Sequence, residues 1–290
     1  ALIRVAAAGV NFADTLLVAG RYQEKPAFPF APGLEVAGTV EAGGGLAPGT
    51  RVAALVPHGG FAEYAVAKSA LCLPIPDDMP FETAAGFLVA YGSSEMALSF
   101  RAGLRAGETL LVTGAAGGVG LTAVEIGKLI GARVIAAARG PARLEAARRA
   151  GADHLLDSET VDLAAEAKAL GGADVVYETV GGVDFAASLR AAKPGARLLP
   201  IGFAGGEVPQ IPANILLVKN LAVLGFWFTA WAKLDPEAMA DSFRRLFGWW
   251  AEGRLRPHVS HVLPLDEAEA ALGLLRRREA TGKVVLKVGA

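Results

Sequence analysis

One cysteine, Cys72, is all the sequence contains in 290 residues. That excludes an internal disulfide and every metal centre built on two or more thiolates. Leu71 and Leu73 flank Cys72 in a strand-like apolar stretch, so it reads as a small core residue, with nothing beside it to lower its pKa. Histidine is scarce too: His58, His154, His258 and His261 are the only four. The last two alone are close, and a spacing of three within a strand-like stretch puts them on opposite faces, which disfavours a shared metal. Neither sign of charge is in excess, with 28 Lys and Arg against 29 Asp and Glu, so the basic stripe of a duplex-binding protein is missing. The run Arg276–Arg278 falls at the end of a short helical pattern, where cations suit the helix dipole. No apolar run reaches the roughly eighteen residues of a membrane span. No Ser, His and acid fall at hydrolase spacing. The opening Ala1–Val5 alternates like a strand and lacks the charged region of a secretory signal, so a reducing, cytoplasmic setting is expected.

What is present is a globular chain, 53% hydrophobic, long enough for one large domain or two of ordinary size. Up to residue 93, short strand patterns alternate with turn clusters. The strands are Thr39–Glu41, Arg51–Val56 and Phe61–Val66; the turns include Gly43–Gly45 and His58–Gly60. From Thr109 the rhythm changes. Strand candidates at Thr109–Thr113, Arg133–Ala138, His154–Leu156, Asp174–Tyr177, Arg197–Pro200 and Leu221–Phe226 alternate with helix candidates at Gly118–Ile130, Pro141–Ala150, Thr160–Leu170 and Val183–Ala191. This spacing predicts βαβ units and a parallel, doubly wound sheet. The tail reads as helix (Pro236–Glu252), strand (Val259–Leu263), helix (Leu265–Arg276) and strand (Lys283–Val288). It either extends the parallel sheet or returns to complete the front domain.

The strongest chemical signal is the strand Thr109–Thr113 running into Gly114-Ala115-Ala116-Gly117-Gly118-Val119-Gly120 and a helix. That is the context of a dinucleotide fingerprint, with Ala115 in place of its first glycine. Gly117 lets a pyrophosphate approach the backbone, and Gly120 lets the helix pack on the strand. The amides at the helix start then face the phosphates. About 20 residues further on, NAD enzymes place an acid for the ribose hydroxyl. Here the stretch reads Ala136-Ala137-Ala138-Arg139-Gly140, with no acid before Glu145. Arg139, assisted by Arg143, suits the 2′-phosphate of NADPH; the alternative is two ordinary surface arginines.

With these residues assembled, the chain resembles the medium-chain dehydrogenase/reductase superfamily, and within it the zinc-free quinone oxidoreductases that include the zeta-crystallins. The resemblance spans almost the whole chain. It rests on Gly9–Asp14, Pro32–Gly38, Gly60–Tyr64, Ala115–Gly120, Val180–Gly182 and Thr281–Val285. Zinc-dependent relatives carry a cysteine where this chain has Asn11 and a histidine where it has Leu34, so the resemblance implies no metal and acceptors already electrophilic enough to take hydride without a Lewis acid. It assigns the pyrophosphate to Ala116, Gly117, Gly118 and Val119, and the adenosine phosphate to Arg139 and Ser158. Gly202, Phe203, Phe226 and Trp227 fall near the nicotinamide and its ribose. Asn11 and Tyr22 line the acceptor pocket, and Ser93 stands where relatives usually have Thr. Leu16 replaces a pocket tyrosine of many relatives, and the chain starts without the family's opening strands.

The expectation is therefore an α/β protein, with a Rossmann domain over 94–229 and a β-rich GroES-like catalytic domain over 1–93 and 230–290, the active cleft lying between them. Its activity is NADPH-dependent hydride transfer to a quinone, with reduction of enones or enoyl thioesters as the alternative. A cofactor-binding structural or redox-sensing protein is the rival of another class. Tyr22 is a candidate proton donor, or else a buried tyrosine with a satisfied hydroxyl. The apolar run Leu221–Phe226, read as an edge strand, is expected to join two copies as a homodimer, unless Trp227, Trp231 and the next helix cover it.

Overall fold

Side-chain alternation sets up the first sheet. In β1 (Leu2–Val10), Ile3 and Val5 are buried while Leu2 and Arg4 face solvent; from Ala7 onward every residue is buried. The computed structural model describes residues 1–289 and divides into two compact units. The first comprises 1–90, 243–253 and 257 onward, and the second comprises 91–242 with 254–256. After β1 come α1 (Phe12–Val18), β2 (Glu35–Ala42), β3 (Arg51–Leu55), β4 (Tyr64–Val66), β5 (Cys72–Pro74), α2 (Phe81–Ala85) and α3 (Leu88–Glu95). The second unit continues with β6 (Thr109–Thr113), α4 (Gly118–Ile130), β7 (Arg133–Ala138), α5 (Gly140–Arg149), β8 (His154–Asp157), α6 (Leu163–Ala169) and β9 (Ala173–Glu178). Then follow α7 (Gly182–Ala191), β10 (Ala192–Pro200), α8 (Ala213–Lys219), β11 (Ala222–Val223), α9 (Trp231–Leu234) and α10 (Pro236–Ala251). The tail adds β12 (Val259–Pro264), α11 (Ala268–Arg276) and β13 (Lys283–Lys287).

The tail's strands join the first sheet. Its order is β12-β13-β1-β2-β3-β5, with β4 also paired to β1. All its pairs are antiparallel except β12 with β13. Val36, Val52, Val284 and Leu286 meet Ile3 and Val10 in the core beneath it, and Cys72 is buried among them. The strands approach too closely for a side chain at Gly38, where an added Cβ would lie 2.0 Å from the Arg4 carbonyl oxygen.

The second sheet is wholly parallel, in the order β11-β10-β9-β6-β7-β8. Successive strands run outward from β6 through β7 to β8, then restart at β9 and run the other way. The reversal lies between β6 and β9, and ligands of such sheets bind at the carboxyl ends of the strands there. Leu111, Ile135, Val176 and Leu198 project from four neighbouring strands into a core closed by Phe185 of α7 and Ala164 of α6.

Three of the departures from the pattern read in the sequence have a visible local cause. The strand expected over Leu221–Phe226 is only Ala222–Val223. After one more ladder bond, Leu224 N to Leu198 O at 2.8 Å, the Gly225 carbonyl instead accepts from Arg101 Nε at 3.1 Å, and Phe226 stacks on Trp231. The strand expected from Phe61 starts at Tyr64, because Phe61 donates its amide to the Pro32 carbonyl at 2.9 Å. The helix expected from Thr160 starts at Leu163, where the Asp162 carboxylate caps it by accepting from Ala164 N and Ala165 N.

Candidate active site

In the second unit the fingerprint forms a tight turn at the end of β6. Gly114 adopts φ +58°, and an added Cβ there would meet Thr179 Oγ1 at 2.3 Å. At Gly120 it would meet the Gly114 carbonyl oxygen at 2.2 Å, so α4 lies against the turn as only glycine allows. Gly117 differs: an added Cβ would make only an ordinary contact, 3.4 Å from the Gly114 carbonyl oxygen. The first amides of a helix have no intrahelical partner; in α4 the first ring closes at Leu121 N on Gly117 O, leaving Gly118, Val119 and Gly120 facing outward from the helix start. Ala116 is buried beside them.

Below the turn lies a polar cluster with no counterpart in the sequence reading. Ser94 Oγ, fully buried, lies 2.8 Å from Thr122 Oγ1 and 3.0 Å from Tyr177 OH, and donates to the Val119 carbonyl at 3.0 Å. Burial pushes the Tyr177 phenol far above its ordinary range, so it stays a neutral hydrogen-bonding group. Ser93, the residue singled out from the sequence, is its buried neighbour on α3.

The ends of β6 and β9 are laced together. The Glu178 carboxylate accepts from Thr113 Oγ1 at 2.9 Å, Val180 N at 2.9 Å and Gly181 N at 2.9 Å. Burial raises its pKa, while those three donors oppose the rise. Thr179 N donates to Thr113 Oγ1 at 3.1 Å, and its hydroxyl returns to Thr113 O at 2.9 Å. The segment after β10 is draped over this frame by Ile201 N to Glu178 O, Ala204 N to Thr179 O and Gly205 N to Val180 O. It carries Gly202 and Phe203, with Phe203 packed against Gly181. Phe226 and Trp227 follow β11 in the same unit, with Trp227 38% exposed.

Arg139 follows β7 and Ser158 follows β8. The strand pair Ala138–Asp157 and the bond from Ser158 N to Ala138 O, 3.1 Å, set them side by side. The Arg139 guanidinium forms no ion pair among the described residues. The nearby Asp157 carboxylate is occupied instead by the amides of Gly140 and Glu159, both at 3.1 Å. Arg143 lies one turn into α5.

The first unit holds the other half of the candidate set. Asn11 precedes α1, and its amide donates to Asp14 Oδ2 at 2.8 Å. Its side chain is fixed at both ends: Oδ1 accepts from Lys283 Nζ at 2.7 Å, and Nδ2 donates to Glu35 Oε1 at 3.0 Å. Lys283 Nζ also donates to Glu35 Oε1 at 2.8 Å and to Val10 O at 3.1 Å, while Glu35 Oε2 accepts from Val89 N at 2.9 Å. Glu35 and Lys283 are both buried. Removing one partner of such a pair costs about 3–5 kcal/mol, because the other charge is stranded. Tyr22 lies half-buried in the loop after α1. Glu35 and Lys283 enter the sequence reading only as parts of motifs; the available signal was a charge inside an apolar strand, since a charge is seldom fully buried without a partner. Among the described residues no group of three His, Cys, Asp or Glu side chains is placed to hold a metal.

Two family models divide the chain. That of the alcohol dehydrogenase GroES-like domain matches residues 1–77, and that of the zinc-binding dehydrogenases matches 118–245. Together they define a dehydrogenase or reductase with a β-rich unit and a dinucleotide-type α/β unit. A quinone oxidoreductase-like protein 2 homolog of Nematostella vectensis is 37% identical over 98% of this chain and 80% of its own. The crystal structure of the quinone oxidoreductase of Thermus thermophilus, also solved as its complex with NADPH, is 39% identical with a TM-score of 0.89, covering 99% of this chain and 90% of that one. The CurK enoyl reductase structure is 26% identical with a TM-score of 0.89, over 99% and 90% of the two chains. The chain belongs to the medium-chain dehydrogenase/reductase superfamily, in its quinone oxidoreductase branch.

Asp14, beneath Asn11, gives a pH signature. It is fully buried and accepts from Asn11 N and from Gly33 N, the latter at 3.0 Å. Burial outweighs these bonds and raises its pKa from 3.8 to about 7. The folded protein therefore holds this proton more tightly than the unfolded chain does. The resulting stability is complete below pH 3.8 and is lost as the pH rises to about 7. Compared with Asp14→Asn in urea unfolding, the parent is expected to lose stability over that window, at up to about 1.4 kcal/mol per pH unit, with a constant difference above it.

Proposed function

We propose that this chain is a zinc-independent reductase that passes hydride from NADPH to a quinone. It is an NADPH-dependent oxidoreductase, and its bound cofactor supplies the hydride. The residues divide the remaining work. Ala116, Gly117, Gly118, Val119 and Gly120 hold the pyrophosphate on the amides and positive dipole of α4. Arg139, Arg143 and Ser158 hold the 2′-phosphate. Ser93, Gly202, Phe203, Phe226 and Trp227 line the nicotinamide end, where the lacing of Thr113, Glu178 and Thr179 keeps the backbone in place. Asn11 and Tyr22 face the acceptor. Catalysis rests on positioning and on exclusion of water.

The observation that carries the zinc-independent reading is the occupation of Asn11 by Lys283 and Glu35. At the position of a metal-binding thiolate, this chain has an amide already tied to an internal cation. Purified protein is expected to oxidise NADPH with quinones at a rate that chelators leave unchanged. About one zinc per chain together with chelator-sensitive turnover would overturn the reading. A second substrate class, enones and enoyl thioesters, is favoured by the likeness to the CurK enoyl reductase. Rates measured side by side on the three acceptor types decide between them.

Arg139 sets cofactor choice. A charge-assisted bond to the 2′-phosphate is worth about 1.5–3 kcal/mol, or roughly ten- to a hundredfold in affinity. NADPH is expected to bind that much more tightly than NADH by fluorescence titration, with Arg139→Ala removing most of the difference. Equal affinities in the parent would refute the assignment.

A homodimer through the β11 edge accompanies this reading. β11 ends the sheet, and Leu217 and Val218 on the neighbouring α8 are 77% and 70% exposed. An open strand edge beside exposed apolar side chains favours two-fold pairing. Light scattering at micromolar concentration is expected to give the mass of two chains, falling to one when Val223 is replaced by Asp. A monomeric parent would disprove the dimer, and a dimeric variant would move the interface elsewhere.

A further inference from the structure

Lys283 is an expensive residue where it stands. Its neighbours in β13, Val284, Val285 and Leu286, are fully buried, and an ammonium among them must be compensated contact by contact. The compensation is complete. An ammonium carries three N–H donors and no acceptor; the three acceptors here are Val10 O, Asn11 Oδ1 and Glu35 Oε1, at 3.1, 2.7 and 2.8 Å. The stem of the side chain lies over Gly86, where an added Cβ would come within 3.2 Å of it. A second glycine, Gly9, keeps the pocket free: a Cβ there would lie 2.2 Å from Ala85 O and 2.6 Å from Glu35 Oε1. With every proton engaged, Lys283 has none to give to a substrate.

Its effect falls on Asn11. The amide cannot turn over, because that would set Nδ2 against the ammonium and Oδ1 against Glu35. Of the two Nδ2 hydrogens, one is held by Glu35 Oε1 at 3.0 Å. The other has only Gly9 O, at 3.5 Å, the outer limit of a hydrogen bond. A cation on the amide oxygen also draws electron density from the amide nitrogen, which strengthens that remaining N–H as a donor.

We propose that Lys283 is a positioning residue that orients and polarises Asn11, so that the weakly held second Nδ2–H stabilises the oxygen of the hydride acceptor. This rests on Asn11 facing the acceptor. When the acceptor takes up a proton and two electrons as hydride, negative charge gathers on its oxygen. The Asn11 amide donates a hydrogen bond to that oxygen and keeps both its protons, and the oxygen then takes its proton from solvent. An internal ammonium, acting through an amide, thus supplies the polarisation that a metal ion gives directly.

The test compares Asn11→Ala, Lys283→Met, Lys283→Arg and the double variant Asn11→Ala/Lys283→Met. NADPH oxidation is followed on para-quinones of graded electron affinity, and NADPH affinity by fluorescence. Lys283→Met is expected to lower kcat about tenfold or more, with a loss that grows as the quinone becomes less electron-deficient, while NADPH affinity is unchanged. The double variant should be no slower than Asn11→Ala, and Lys283→Arg should recover part of the rate. A loss that is the same for every quinone, or that adds to that of Asn11→Ala, would overturn the proposal. If Asn11→Ala alone runs at the parent rate, the assignment of Asn11 fails instead. A measurement on the unmodified protein covers the case in which Lys283→Met does not fold. In ¹H–¹⁵N spectra the two Asn11 side-chain protons should be widely split and slow to interchange; averaged, solvent-like signals would refute the clamp.

Discussion

A buried ion pair between residues 248 positions apart, Glu35 and Lys283, is the constraint from which the first unit takes its form. Glu35 opens β2 and Lys283 opens β13, and β1 lies between those strands in the sheet. The pair can form only if the tail returns to the front of the chain, in a register that brings Lys283 onto the Val10 carbonyl. A strand shifted by one residue would turn the ammonium to the opposite face. The same contact that specifies the register also fixes the Asn11 side chain.

The second unit reaches a comparable result by different means. At the carboxyl ends of β6 and β9 no ion pair among the described residues orders the strands. Two threonines and a buried glutamate do so, through hydroxyls and backbone amides. Thr113 and Glu178 belong to the two strands at which the sheet reverses its order, where neighbouring loops diverge and a crevice opens. Bonds across that point hold the loops at a constant separation, and the 201–207 segment inherits its path from them. The glycines of the fingerprint work alongside: Gly114 makes room for the Thr179 hydroxyl and Gly120 for the Gly114 carbonyl.

The parallel sheet was legible because each of its strands is a short apolar run bounded by glycine or a helical pattern. β6, β7 and α4 begin and end at the residues the sequence indicated. The edge was harder to read. Leu221–Phe226 has the composition of a strand, yet from Gly225 its backbone is diverted by Arg101 and its aromatic ring by Trp231, partners remote in sequence. Helix α1 was overlooked although Asn11-Phe12-Ala13-Asp14 carries a capping box, with the Asp14 carboxylate on the Asn11 amide. The Asn11 side chain is at the same time committed to Lys283 and Glu35. The fingerprint turn could be found, and Arg139 proposed, from local spacing. Ser94, Glu178, Glu35 and Lys283 could not, since each acquires its significance from a partner on another strand or helix.

The discontinuity of the first unit bears on how the protein is made. Residues 91–242 form nearly all of the second unit without interruption, so a growing chain can complete its parallel sheet while synthesis continues. The front strands must wait. β1 is made before the second unit and its neighbour β13 after it, and in between one edge of β1 exposes unpaired amides and carbonyls. Prior folding of the middle shortens the effective loop that the final pairing must close, and with it the entropy that pairing gives up. The nascent chain thus carries an unfinished sheet while the second unit is being made, and that interval is when it is most open to capture by a chaperone or to mispairing with another copy.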